Sequence, residues 1–461
     1  MVFGPYQMVL DFAFAAMLLF LAKLVRSRIR FVQRLYIPSA VIAGLLGLFF
    51  GPQFLDIIPF SGQIATYPFL LIVFLFSSLF IGNKAGTSVK KIFSDVGDTF
   101  AINLAVQVLF FGVFVLVAPF ILAALFPGLH PWFALLVPTG FIGGHGYAAA
   151  IGGALIGGGW EDALTIGQTF ATIGLLTGVI GGVILINFAV RKGATRFVKS
   201  MTDVSDDIRT GLVAEESRES MGSSTVNPMS IDPLGWHLVP ILIAFAGGYY
   251  ATNFLNSILP ISAPMMSVAM ICGVIMNLVL RLLRLNNYVD KKIVTRIGST
   301  STDFLVTFGV SAISITVVVE FALPIIFMSI LAVLFTLLWL AFISRRLFRK
   351  FWFERGIFIY GYTNGVVATG VTLLRVVDPE FRSKTLEDYG TAYALIGIIE
   401  VVLISLLPIL IMQGLGFATG GILTAIGAVI LIICAKVYGI NRNKANKPTE
   451  AELEVMNSSK S

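Results

Sequence analysis

The 461-residue sequence predicts an all-α polytopic membrane protein. It is built from two inverted-topology repeats, each of five transmembrane helices plus a re-entrant hairpin, with one extra C-terminal helix. Three observations carry this. Hydrophobic residues make up 57% of the chain and charged residues 12%, against about 25% charged in soluble domains. Apolar runs recur at the length of about 20 residues that crosses a bilayer core. Two further apolar stretches, 131–157 and 356–377, are broken by glycine and polar residues.

The spans are expected at 7–25, 36–51, 62–82, 98–126, 163–190, 236–258, 262–282, 299–322, 324–343, 389–411 and 414–438. Residues 1–22 carry neither a basic head nor a small-residue cleavage site, so 7–25 reads as an uncleaved first helix starting outside. The net charge of +7 does not point to nucleic acid, because the basic residues lie in short runs between apolar segments. Lys and Arg stay on the cytoplasmic side, so these runs orient the chain. Helix 7–25 delivers Arg26 to Arg34 inside, and 62–82 returns with Lys84, Lys90 and Lys91. If 131–157 crossed, Arg191, Lys192, Arg196 and Lys199 would fall outside; if it dips in and returns, they fall inside. The same argument makes 356–377 re-entrant, because crossing there would misplace the basic C-terminal tail.

Each half then reads as four spans, a re-entrant segment and a fifth span, in opposite orientations. Pro38 and Gly47 share the spacing of Pro264 and Gly273, and Gly146 stands at an offset similar to Gly365. The predicted units are a first repeat 1–190, a cytoplasmic linker 191–235, a second repeat 236–411, an extra helix 412–440 and a disordered cytoplasmic tail 441–461. The linker, with 215-EESRESMGSSTVNPMS-230, has little that could form a core. Inverted repeats with discontinuous segments in matching places are the pattern of secondary transporters, whose sites lie where those segments meet.

Irregular backbone at membrane depth persists only when buried or lining a water-filled cavity. The run Gly143, Gly144, His145, Gly146 allows a tight turn that exposes amides and half-helix ends to an ion or an anionic group. Gly152, Gly153, Gly157 and Gly158 read instead as helix packing. In 360-YGYTNGVVATG-370, Thr363, Asn364 and Thr369 offer hydroxyl and amide ligands, while Asn364 beside Gly365 also suits a left-handed turn. His145 either bonds substrate or locks the hairpin backbone; one histidine without Cys or carboxylate neighbours makes no metal site. Acids at membrane depth cost about 2.5–3.5 kcal/mol each, so they are functional candidates. Glu400 reads as a cation ligand or a helix lock, and Asp303 as an ion-coupling acid or a cap. Asp11 and Glu320 lie nearer helix ends and read as solvated. Asn103, Gln107, Gln168, Thr169 and Thr172 line a polar path or join helices. Arg375 reads as a snorkelling side chain. Cys272 and Cys434 read as small apolar residues.

These motifs resemble the bacterial sodium/glutamate symporter family: 36-YIPSAVIAGLLG-47, 143-GGHG-146, 357-IFIYGYTNGVVATG-370 and the helix 389–411. The resemblance implies two inverted five-span halves with glycine-rich re-entrant loops and a cytoplasmic linker. By it, Gly143 to Gly146 belong to the first loop, Thr363, Asn364 and Gly365 to the second, and Glu400 to an acid position in the last core helix. Ile142, Tyr147 and Ala148 depart from the small and hydroxyl residues usual around the first run, which makes Tyr147 the place where substrate choice would differ.

The reading that follows is a secondary active symporter, Na⁺-coupled and not an enzyme, in the inner (cytoplasmic) membrane. It would carry glutamate or a similar small carboxylate by alternating access and need no cofactor beyond Na⁺. Substrate would bind at Thr139, Gly143, Gly144, His145, Gly146, Tyr147, Thr363, Asn364, Gly365 and Thr369. The ion-coupling candidates are Glu400, Asp303 and Asn364. The N-terminus would lie outside and the C-terminus in the cytoplasm, and the resemblance implies a homodimer. The rivals are a proton-coupled carboxylate carrier, in which Glu400, Asp303 or His145 titrates, and a channel filtered by the glycine loop. A membrane enzyme would need a nucleophile–base pair or metal cluster, and neither pattern is present in the spans.

Overall fold

A computed structural model describes residues 4–35, 37–83, 89–197, 210–218, 220–258, 265–348, 350–379 and 381–438. Lys84, Pro264 and the tail from Asn441 lie outside these residues. Among the described residues every regular element is helical. The main helices are α1 (Pro5–Arg28), α2 (Ser39–Phe50), α3 (Tyr67–Ser78), α4 (Val89–Val117), α5 (Phe133–Gly157), α6 (Ala163–Arg191) and α7 (Pro233–Ile258). They continue with α8 (Met265–Leu282), α9 (Lys291–Ser311), α10 (Ala322–Leu338), α11 (Trp352–Asn364), α12 (Val367–Val377), α13 (Thr385–Met412) and α14 (Gly416–Tyr438).

Among the described residues eight helices, α5 included, are long and apolar enough to cross a bilayer, which makes this a multi-pass membrane protein. Four expected spans, at 36–51, 62–82, 262–282 and 299–322, are not among them. The helices α2 and α3 have 12 residues each, a rise of only about 18 Å. The helix α9 has 21 residues but presents Lys292, Arg296, Thr300 and Asp303 on an exposed polar face. It also starts eight residues before the expected 299, because Asp290 caps it by accepting the Lys292 amide at 2.7 Å. It ends at Ser311, and Ser314 caps a separate short helix, Ile315–Glu320.

These shorter helices pack with one another. Thr307 and Ser311 of α9 donate to the carbonyls of Ala40 and Gly44 in α2, at 3.4 and 3.3 Å. Lys291 donates to the carbonyls of Leu79 and Ile81, at 2.6 and 3.1 Å, tying α9 to the end of α3. Asn277 of α8 accepts from the Gly82 amide at 3.0 Å, just beyond α3. With α1 and α7 they form one bundle. The second bundle contains α4, α5, α6, α10, α11, α12 and α13, and α14 packs on the outside of α4. Small residues bring those last two together: a Cβ at Gly420 would stand 2.8 Å from the Leu116 nitrogen, and one at Gly427 2.4 Å from Leu109.

Asp11 departs from the solvated reading. It is fully buried and accepts the Ser61 amide at 2.9 Å, the Ser61 hydroxyl and the Tyr67 hydroxyl at 2.6 Å. It pins the 51–66 loop to α1, and the bonds offset the cost of burying its charge. Glu320 is exposed, as expected. The described part of the linker is largely exposed and lies over helix ends. The Lys23 ammonium donates to the Gly211 carbonyl and the Ser223 amide to Asp290.

Candidate functional site

The helix α5 reverses on itself. Twenty-five residues of straight helix would separate its ends by about 37 Å. Instead, a Cβ at Gly158 would lie 3.1 Å from the Trp132 ring, and the Phe133 and Trp160 rings are 6.4 Å apart. The reversal is at Gly144, with φ 57° and ψ −156°, a region that only glycine enters readily. Gly167 of α6 faces both arms, meeting Leu136 of the first and Ala148 of the second.

The helices α11 and α12 form a second hairpin. A Cβ at Gly361 would stand 2.7 Å from the Gly370 Cα, so the arms touch backbone to backbone. Here the turn uses Gly365 at φ −142° and ψ −109° and an extended Val366, with no positive φ.

The two tips meet. A Cβ on Gly144 would lie 2.7 Å from the Val366 Cγ1 and 3.5 Å from the Gly365 carbonyl oxygen. Along α6, Gly167, Gly174, Gly178 and Gly182 form a groove for both hairpins. Gly174 faces Phe141 of one and Asn364 of the other, and Gly182 faces Leu373. The first hairpin therefore lies along the N-terminal half of α6 and the second along the C-terminal half. On the other flank α13 runs in the opposite sense. Tyr389 near its start packs on Phe358, with ring centroids 4.7 Å apart, and Met412 at its end meets Gly158.

Polar side chains collect at this junction. His145 Nε2 is 3.0 Å from the Thr172 hydroxyl, and Gln168 donates to the His145 carbonyl at 3.1 Å. The Thr172 hydroxyl also donates to the Gln168 carbonyl at 2.9 Å. With its hydrogen used there, it accepts from His145 Nε2–H, which leaves Nδ1 as a bare acceptor. In the second tip the Asn364 amide donates to Thr336 at 3.0 Å and to the Tyr360 carbonyl at 2.8 Å. Glu400 is buried and accepts the Tyr393 hydroxyl at 2.9 Å, and Tyr147 interacts with the same carboxyl. Tyr362 donates to Asn103 at 2.8 Å. Four buried atoms here have no protein partner: His145 Nδ1, Gln168 Oε1, Thr369 Oγ1 and the Tyr389 hydroxyl. Buried polar atoms are seldom left so.

A family profile described as sodium/glutamate symporter matches residues 6–377, which includes both hairpins. The chain belongs to the sodium/glutamate symporter family. Comparison with curated proteins found no match. The family match ends at Val377, so α13 with Glu400, to which the resemblance had been extended, lies beyond it.

Most residues singled out in the sequence as symporter-site candidates come together. Gly143 packs on Tyr147, Gly146 on Ile72 of α3, and Gly365 on Thr369. Thr139 and Thr363 are buried five and two residues before the turn glycines Gly144 and Gly365, each donating to a carbonyl four residues earlier at 2.7 Å. Asp303 does not join them: it sits on the exposed face of α9. His237 is buried and accepts the Asp290 amide at 2.8 Å. Arg375 is exposed with Phe381 under its guanidinium, as a snorkelling residue would be. Sequence reasoning missed Thr336, Tyr362, Tyr389 and Tyr393, which look like ordinary core residues in one dimension. It also missed the α6 groove, although glycines spaced seven, four and four residues apart are readable as one helix face.

The mouths of the hairpins differ. At the first, His130 stacks on Trp160 at 4.3 Å, and burial lowers its pKa. A cavity of about 460 Å³ beside it is lined mostly by apolar residues such as Val115, Leu135 and Phe417, a poor match for an anion. At the second, buried Glu354 accepts the Arg196 amide at 2.7 Å, and burial raises its carboxyl to about 7. Arg355 pairs with Asp388 at 2.5 Å and donates to Thr99 at 2.6 Å.

Proposed function

We propose that this protein couples Na⁺ influx to the uptake of glutamate or a similar small carboxylate by alternating access. The observation that carries the reading is the meeting of two hairpin tips, approaching along opposite halves of α6, with unpartnered polar atoms around the contact. The second arm of each hairpin starts at its tip, so its first amides and the positive end of its dipole face the junction. That is a carboxylate site without a cationic side chain. The first arms end there, and their carbonyls, with Asn364 and the Thr369 hydroxyl, supply the oxygen ligands a hard cation takes. Asp303 stands apart and drops out of the ion set.

Two inverted repeats, 1–190 and 236–411, account for this arrangement. The exchange of partners between the halves supports them: α2 packs on α9, and α8 on α3. So does the reversed course of α6 and α13 past the hairpins. The first hairpin would enter from outside and the second from the cytoplasm, with the N-terminus outside and the C-terminus inside the cell membrane. Access alternates as the hairpin bundle moves against the bundle of α1, α2, α3, α7, α8 and α9 around the site.

Purified protein in liposomes tests this. An inward Na⁺ gradient should drive glutamate above its equilibrium level with saturable kinetics. Uptake of every small acid indifferent to Na⁺ would refute symport, and flux that never saturates or concentrates would favour a channel.

A further inference from the structure

A buried carboxylate at membrane depth without a cation is the least expected feature of the junction. Glu400 is 8% exposed, and among the described residues no lysine or arginine forms an ion pair with it. A carboxylate has about four lone-pair directions. One hydroxyl donates to this one, Tyr393 at 2.9 Å, and Tyr147 near the first hairpin tip is close enough to interact with it. Around it the rings form a wall. Tyr389 and Tyr393 stack with centroids 5.4 Å apart, and Tyr362 from the second tip lies 5.5 Å from Tyr389. The Tyr389 hydroxyl, on a side chain 3% exposed, has no protein partner. An acid, a spare hydroxyl and aromatic faces are the components that hold an organic ammonium group. Both tips contribute a tyrosine, so a group bound here lies next to amides that could take a carboxylate.

We propose that Glu400 and its tyrosines bind the α-ammonium group of the substrate, so that the protein selects amino acids over dicarboxylates of the same length. This rests on the symport reading above and names its substrate class. The acid and the tip amides then act as the two ends of one ruler, Glu400 for the ammonium and the half-helix N-termini for a carboxylate.

The test is binding of glutamate and of glutarate, which lacks only the amino group, to the purified full-length protein across a Na⁺ titration. Wild-type protein should prefer glutamate about 100-fold, the scale expected when one partner of a buried charge pair is removed. Glu400→Gln should reduce that preference to less than about 5-fold while the half-saturating Na⁺ concentration stays within about twofold. Tyr393→Phe, which keeps the ring and drops one hydrogen bond, should lower the preference in the same direction by a smaller factor, and it decides the matter if Glu400→Gln fails to fold. Equal binding of the two acids by wild-type protein would overturn the proposal. So would a preference unchanged in the variants with a large shift in half-saturating Na⁺, which would assign Glu400 to the ion. If no acid binds with or without Na⁺, the parent reading falls and this inference with it.

Discussion

The two hairpins make the same reversal by different chemistry. The first turns on one glycine in a conformation closed to other residues, and its tip histidine keeps one nitrogen unpartnered. The second turns through an extended valine without positive φ, and its tip asparagine is tied to Thr336 and the Tyr360 carbonyl. The first tip therefore depends on backbone and offers its side chain to a ligand. The second depends on a side-chain amide and offers backbone, the Asn364 oxygen and a threonine hydroxyl. A likeness between the two hairpins need not extend to the residues that make the turn.

The largest effect that could break this comparison is at the turn residues. Gly144→Ala forces a non-glycine residue into φ 57° and places its Cβ against Val366. It should cost about 1–3 kcal/mol and reduce Na⁺-driven uptake more than about 100-fold. Gly365→Ala would meet the Thr369 hydroxyl at 2.7 Å, its Cβ at 3.2 Å and the Gly361 carbonyl oxygen at 3.3 Å, but no positive φ is forced on it, so it should reduce uptake only about 10-fold. Equal losses in paired uptake assays would contradict the asymmetry.

A smaller contrast separates the tip side chains. Asn364→Ala removes bonds to two partners in a fully buried site and should lower stability by about 1–3 kcal/mol. His145→Gln keeps a group able to reach Thr172, so thermal unfolding should change little while substrate or Na⁺ affinity falls about tenfold. If unfolding is instead hit harder by the histidine change, His145 is a lock for the hairpin backbone.

The smallest effect is at the mouths, where only the second hairpin has a buried acid. Burial holds Glu354 at about 7, above its ordinary 4.5. The folded state thus binds a proton more tightly than the unfolded one, and the contribution of this group to stability is lost as pH rises from 4.5 through 7. Glu354→Gln, a mimic of the protonated acid that can still accept the Arg196 amide, should unfold at a higher temperature than wild type at pH 8. The difference should vanish by about pH 4.5. An unfolding difference independent of pH would remove this account of the second mouth.

Much of the hairpin architecture was legible because lipid imposes strict rules. Positive charges stay inside, and glycine-broken backbone needs a protein wall, so 131–157 and 356–377 stood out. The short helices were less legible. Hydropathy does not tell a 12-residue buried helix from a span, and it does not see that Asp290 starts α9 early. Acids were judged by distance from helix ends, which misplaced Asp11, because the Ser61 and Tyr67 hydroxyls that bond it come from distant parts of the chain. Asp303 was weighed as an ion-coupling acid or a cap in the first turns of its helix, but position along a helix does not reveal which face is exposed. Of the tyrosines around Glu400, Tyr147 stood out in the sequence, but Tyr362, Tyr389 and Tyr393 did not, because they come from α11 and α13 and only tertiary packing brings them near one carboxyl.

Side-specific labelling tests the central claim most directly. In protein with Cys272 and Cys434 replaced by alanine, single cysteines would be placed at Pro131 and Glu161, flanking the first hairpin, and at Lys350 and Lys384, flanking the second. A membrane-impermeant maleimide applied to intact cells should label both cysteines of the first pair from outside. The second pair should be labelled only after the inner face is opened. If the two cysteines flanking either hairpin were labelled from opposite sides, that segment would cross the membrane, and the meeting of two re-entrant tips would be wrong.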